Sequence, residues 1–94
     1  MDKLHETDLV VAFRHPEPTH ETHVVVVPKR AIKTLMHLSV EDADVLRGVF
    51  LTIQKIVADL GLEPDGYSVV INGGPRQDVE QIHFHDLSGQ ELTQ

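Results

Sequence analysis

The segment Gln81-Ile82-His83-Phe84-His85-Asp86 holds the residue types best suited to chemistry. In an extended chain, alternation sends Gln81, His83 and His85 to one face and Ile82 and Phe84 to the other. One face is then polar and reactive while the other is built to pack. Two imidazoles ~6.5–7 Å apart along one strand can share a single phosphate, one attacking phosphorus while the other donates hydrogen bonds to its oxygens. A neutral imidazole is a competent nucleophile near neutral pH, because its ordinary pKa is about 6.5. Attack through one ring nitrogen requires the other to be held as N–H by an acceptor, so the neighbouring backbone matters as much as the ring.

Two exposed histidines on an edge strand would give the same pattern without any chemistry. Two other features favour a site. His23 opens a run of valines, and the loop Asn72-Gly73-Gly74 precedes the histidine segment, offering flexible backbone amides to an anion. Each has a plainer explanation too, a strand-end histidine satisfied by water and a turn asparagine. His5, His15, His20 and His37, read from the residues alone, are surface or loop histidines. The set His83, His85 and His23 also has the donor chemistry of a three-nitrogen zinc site, an alternative use of the same side chains.

The elements that must position these residues follow from the pattern around them. Leu9 to Phe13 reads as a short strand ended by Pro16 and Pro18, and His23 to Val27 as a second ended by Pro28. Four consecutive β-branched valines predict a central strand covered on both faces. Ala31 to Leu38 is expected to hold a short helical turn. Ser39 reads as a helix N-cap, with Glu41, Asp42 and Asp44 complementing the dipole of the first turn. Leu46, Val49, Phe50, Ile53, Val57 and Leu60 follow at helical spacing as core or self-association surface, and Gly61 closes a helix of about six turns. Tyr67 to Ile71 and Val79 to Asp86 are the third and fourth strands, with Asp86 expected where the last strand leaves the sheet. The order predicts an α+β domain, an antiparallel sheet with one long amphipathic helix across it.

Composition bounds the partners. Ninety-four residues that are 40% apolar suffice for one domain, 1–94, and no cysteine is available for a disulfide or a thiolate metal site. Self-association is one remaining way for so small a domain to gain buried area. A formal charge of −7 repels polynucleotides and anionic lipid, while a few imidazoles and backbone amides still suffice for one small phosphate ester. No apolar segment reaches the ~18–20 residues a membrane span requires, and the first residues lack a signal-like apolar region. A cytoplasmic protein without nucleic-acid or membrane partners is the expectation.

Four segments taken together, Thr22-His23-Val24-Val25-Val26-Val27-Pro28-Lys29-Arg30, Ala58-Asp59-Leu60-Gly61-Leu62, Gly66-Tyr67-Ser68-Val69-Val70-Ile71-Asn72 and Gln81-Ile82-His83-Phe84-His85-Asp86-Leu87-Ser88-Gly89, resemble the histidine triad (HIT) superfamily, most closely its Hint branch. The resemblance runs from about Leu4 to Gly89. It implies a HIT-like sheet of four to five strands and a homodimer. The implied activity is that of a purine-nucleotide hydrolase or nucleotidyl transferase working through a covalent nucleotidyl-histidine, with nucleoside phosphoramidates, acyl-adenylates or dinucleoside polyphosphates as substrates and no cofactor. On this resemblance His83 attacks the α-phosphate, His85 holds its oxygens or assists the leaving group, His23 supports the cluster, and Asn72 and the neighbouring Gly74 line the phosphate site. Gln77 and Asp78 sit in the loop that contacts the leaving group.

The chain departs from the family pattern at several of these positions. Gln81 replaces the first motif histidine, and its amide is expected to hold the neighbouring chain by hydrogen bonds. His15 stands where an aspartate usually grips the ribose, and Pro16 where an apolar base contact is usual. Asp78 stands at a common serine position; a carboxylate there disfavours a polyphosphate and favours an amine. The loop before the motif is about two residues short, and the family's usual N-terminal helix and the strand after it are expected to have no counterpart. These departures leave two other functions in view, a nucleotide- or phosphate-binding module without turnover and the zinc site.

Overall fold

The computed structural model describes residues 2–93; Met1 and Gln94, the ends of the expected domain, lie outside the described residues. Among the described residues the chain forms strands β1 (Lys3–Glu6), β2 (Val10–Arg14) and β3 (His20–Pro28), helix α1 (Ala43–Leu60), and strands β4 (Ser68–Val70) and β5 (Phe84–Glu91). The five strands make one antiparallel sheet in the order β1-β2-β3-β5-β4, so the last strand is inserted between the third and fourth. That insertion sets the histidine segment beside the valine strand, with Val25 opposite His85 and Val26 opposite Phe84.

Helix α1 lies over one face of this sheet. Val24 and Val26 point to it and join Val10, Ala12, Ile82 and Phe84 with Val45, Val49, Ile53, Ile56 and Val57 in the core. Burying such a side chain contributes roughly 1.5–3 kcal/mol, enough to fix which face of β3 and β5 turns inward. The helix presents a slightly different stripe from the one expected. Val45, Thr52 and Ile56 are buried, whereas Phe50 is half exposed and meets Phe84 only edge-on, with ring centroids 5.9 Å apart.

The helix begins later than expected and is five turns long. Residues Val40–Asp42 form a 3-10 turn in which the Asp42 carboxylate accepts the Ser39 N–H at 3.0 Å. Arg30 reaches the same buried carboxylate at 3.1 Å, tying the helix start to the exit of β3. Gly61 ends the helix at φ 63°, and Leu62 N–H donates to the Val57 carbonyl at 3.0 Å. A short 3-10 turn at Leu35–His37 fills the segment where a helical turn was expected.

Three strand expectations need correction. The valine strand starts at His20, so His23 lies within it and does not open it. Val24, Val25 and Val26 are all buried, so the strand is covered on both faces as expected, with Val25 and Val27 also lining a cavity on the side away from the helix. The last strand starts at Phe84 and runs to Glu91, so Gln81 and His83 precede it. Asp86 is therefore mid-strand, paired with Val24 on one side and Val69 on the other, and fully buried on the helix face.

Candidate active site

Chain alternation divides the sheet's labour: the residues between those facing the helix carry the histidines. His83, half-buried and one residue before β5, donates its Nδ1–H to the Gln81 carbonyl at 2.8 Å. A carbonyl can only accept, so Nδ1 carries a proton, and in the neutral ring the lone pair is on Nε2.

His23 and His85 meet across the β3–β5 pair with His23 Nε2 2.8 Å from His85 Nδ1. The direction of this hydrogen bond follows from the backbone. The Thr19 N–H donates to His23 Nδ1 at 3.0 Å, which makes that nitrogen an acceptor and places the ring proton on Nε2. His23 then donates to His85 Nδ1, and His85 carries its own proton on Nε2. That Nε2–H is buried without a protein partner among the described residues. Burial lowers the pKa of His23 to about 4, with His15 and His85 adding to the effect, and burial likewise lowers that of His85, helped by His83. Both rings are neutral near pH 7, as the tautomer chain requires.

His15 lies flat on His23, with ring centroids 4.4 Å apart and 19° between the planes. Its Nδ1 accepts the Glu17 N–H at 2.9 Å, so its neutral ring presents N–H at Nε2. Rings of His15, His23, His85 and His83 thus form a continuous row, the last two centroids 4.9 Å apart. From the residues alone His15 reads as a loop histidine; only the pairing of β2 with β3 brings it onto His23.

Two cavities flank this row. An apolar one of about 270 Å³ is lined by Phe13, Pro16, Val25, Val27 and Val79 together with His15, Gln81 and His83. A polar cleft contains His15, Glu17, Thr19, His23, Asn72, Asp78 and His85. Gln81 spends its whole amide on the backbone: its Oε1 accepts Ile32 N–H at 3.1 Å and its Nε2 donates to the carbonyls of Pro28 and Arg30 at 3.1 and 2.9 Å.

Gly74 and Gln77 fall elsewhere. The stretch Gly74–Arg76 coils into a 3-10 turn, and Gln77 Nε2 donates to the carbonyls of Lys33 and Val79 at 2.7 and 2.8 Å. Both residues line a groove with Lys33, Thr34, His37 and Glu80, apart from the histidine row. The alternative zinc set of His83, His85 and His23 does not assemble either. No group of three or more His, Cys, Asp or Glu among the described residues is disposed to hold a metal ion, and His23 and His85 turn nitrogens toward each other over one shared proton.

A model of the HIT domain matches residues 1–92. The chain belongs to the HIT family. This HIT chain is 39% identical over 94 residues to an uncharacterised HIT-like protein of Synechococcus elongatus, covering 98% of its own length and 82% of the relative's. It is 35% identical over 95 residues to the purine nucleoside phosphoramidase of Escherichia coli, covering 97% and 78%. Its fold superposes on the crystal structure of a HIT family hydrolase from Legionella pneumophila with a TM-score of 0.90 at 30% identity, covering 97% and 83% of the two chains. The expected family and α+β HIT fold therefore hold, and no helix among the described residues is long and apolar enough to cross a membrane.

Proposed function

We propose that this HIT chain is a hydrolase or nucleotidyl transferase acting at the α-phosphorus of a small nucleotide conjugate, a nucleoside phosphoramidate above all, through a covalent intermediate on His83. The observation that carries this reading is the bond from His83 Nδ1–H to the Gln81 carbonyl, which leaves Nε2 as a free lone pair beside a ring that offers N–H. Similarity to the Escherichia coli phosphoramidase supports the substrate class.

In this reading His83 Nε2 forms a bond to phosphorus as the P–N bond to the leaving amine breaks. The amine keeps that electron pair and takes a proton from water in the cleft. The ring becomes cationic, which strengthens its charge-assisted bond to Gln81. Water then attacks phosphorus, the bond to His83 breaks back onto the ring, the water's proton passes to solvent, and the nucleoside monophosphate leaves.

His85 holds a non-bridging oxygen through its Nε2–H, a donor fixed before charge develops. It is not the acid for the leaving group. A neutral imidazole that gave up its only proton would become an anion, and a second proton on Nδ1 would oppose the N–H of His23. His23 positions His85, Asn72 lines the phosphate side, and Asp78 in the same cleft favours a departing amine over an anionic leaving group. The apolar cavity takes the base. A homodimer and a cytoplasmic setting belong to the same reading. The first is supported by the free edge of β4, the second by the absence of cysteine.

The test is release of nucleoside monophosphate from adenosine and guanosine 5′-phosphoramidates. Release is expected to fall at least about a thousandfold in His83→Ala, with the circular dichroism spectrum unchanged. Turnover retained in that variant overturns the covalent route. Tight binding of the monophosphate without any release would favour a binding module, the reading to which Asp78 and His15 lend some support.

A further inference from the structure

Among the side chains of the apolar cavity, nearly all polar groups are already committed. Gln81 has its amide oxygen and both amide hydrogens engaged by the backbone at positions 28–32. His83 has Nδ1 on the Gln81 carbonyl and keeps only its attacking nitrogen. The remaining polar side chain is His15, which lines both this cavity and the polar cleft beyond it.

His15 is held rigidly, its ring stacked on His23 and its Nδ1 accepting the Glu17 N–H. What it presents is one N–H donor at Nε2. The carboxylates of Glu17 and Asp78 line the cleft and not the cavity. A group that spans the reacting phosphorus and an aromatic ring in the cavity passes His15, and for a nucleotide that group is the sugar.

We propose that His15 sets the sugar specificity of this site, admitting 2′-deoxyribonucleotides as readily as ribonucleotides. The inference rests on the nucleotide reading above. A carboxylate can accept from both hydroxyls of a ribose at once, so losing one hydroxyl costs it a charge-assisted bond, worth roughly tenfold or more in affinity. A single N–H donor needs only one acceptor oxygen, which the deoxy sugar still supplies. Removing the other hydroxyl leaves no buried protein carboxylate unpaired, and discrimination is lost.

The experiment is calorimetric titration of the purified protein with adenosine 5′-monophosphate and with 2′-deoxyadenosine 5′-monophosphate, and measurement of kcat/KM for the two corresponding 5′-phosphoramidates. Dissociation constants within about threefold of each other, with kcat/KM values equally close, are expected. His15→Asp should raise the ribose preference to roughly tenfold or more, while His15→Phe weakens both ligands together. A preference for the ribonucleotide of tenfold or more in the unaltered protein, with His83-dependent turnover intact, overturns the specificity inference alone. Neither binding nor turnover of either nucleotide overturns the functional reading and this inference with it.

Discussion

Asp86 and His23 sit in neighbouring strands on opposite faces of the sheet, and burial pushes their titrations in opposite senses. The Asp86 carboxyl has no hydrogen-bond partner among the described residues, and burial lifts its pKa from 3.8 to about 6. Between those values the native state keeps a proton that the unfolded chain has released, so this group removes stability as pH rises through that window. At neutral pH its cost is of order 2–3 kcal/mol. His23 has the reverse effect. Its pKa is about 4 instead of 6.5, so the unfolded chain binds the extra proton and stability is lost as pH falls from 6.5 toward 4. Asp86→Leu is expected to raise the urea midpoint at pH 7 by the equivalent of about 2 kcal/mol and to make the loss between pH 7 and 4 steeper, since only the histidine slope remains. An unchanged midpoint at pH 7 would mean that the carboxylate finds a partner in solution. None of this is legible in the sequence. Alternation puts Asp86 on the same side as Ile82 and Phe84, but whether that position is a strand end or a strand centre depends on β3 and β4 both pairing with it. The proton chain through His23 and His85 joins residues 62 apart and starts from a backbone amide, which no residue pattern reveals.

Elements were read best where one physical signal acted alone. The capping aspartates, the apolar spacing and Gly61 located α1 because each acts within a few residues along the chain. Gly61→Ala should lower stability by about 1 kcal/mol, seen as a drop of several degrees in Tm, because a Cβ is strained at φ 63° while nothing lies within 4 Å to compensate. An unaltered Tm would show that the helix end relaxes to another turn. Strand limits were read worse. Residues 79–83 alternate as a strand does, yet the chain bends at 79–81 and is anchored by side-chain bonds and by Ile82 N–H to the Ile32 carbonyl at 2.7 Å, so it stands outside the ladder. β1, a strand expected to be missing, escaped notice because Lys3-Leu4-His5-Glu6 is polar apart from Leu4 and has no fully buried residue, as suits a short strand at the sheet edge. The helix face shifted toward Val45 and Ile56 because Phe50 sits at the margin of the core, over Phe84.

At the scale of the whole molecule, β4 is three residues long, with one edge unpaired among the described residues. Tyr67, Val69 and Ile71 around it, and Phe50 and Leu51 on the helix, remain substantially exposed. Such an edge beside apolar side chains is suited to a second copy, and light scattering is expected to give twice the 10.5 kDa chain mass. Val69→Lys combined with Phe50→Glu should return it to the monomer mass; a monomer for the unaltered chain would refute self-association by this edge. The start of the motif is tied to the rest of the fold by Gln81, whose side-chain amide accepts once from the backbone and donates twice to it. The proposed nucleophile is thereby registered against the end of β3 by a side chain, where a sheet rung would have allowed no adjustment. Evolution can exchange a side chain without redrawing a sheet, so position 81 is a point at which descendants of this protein can change how His83 is held while inheriting the same architecture.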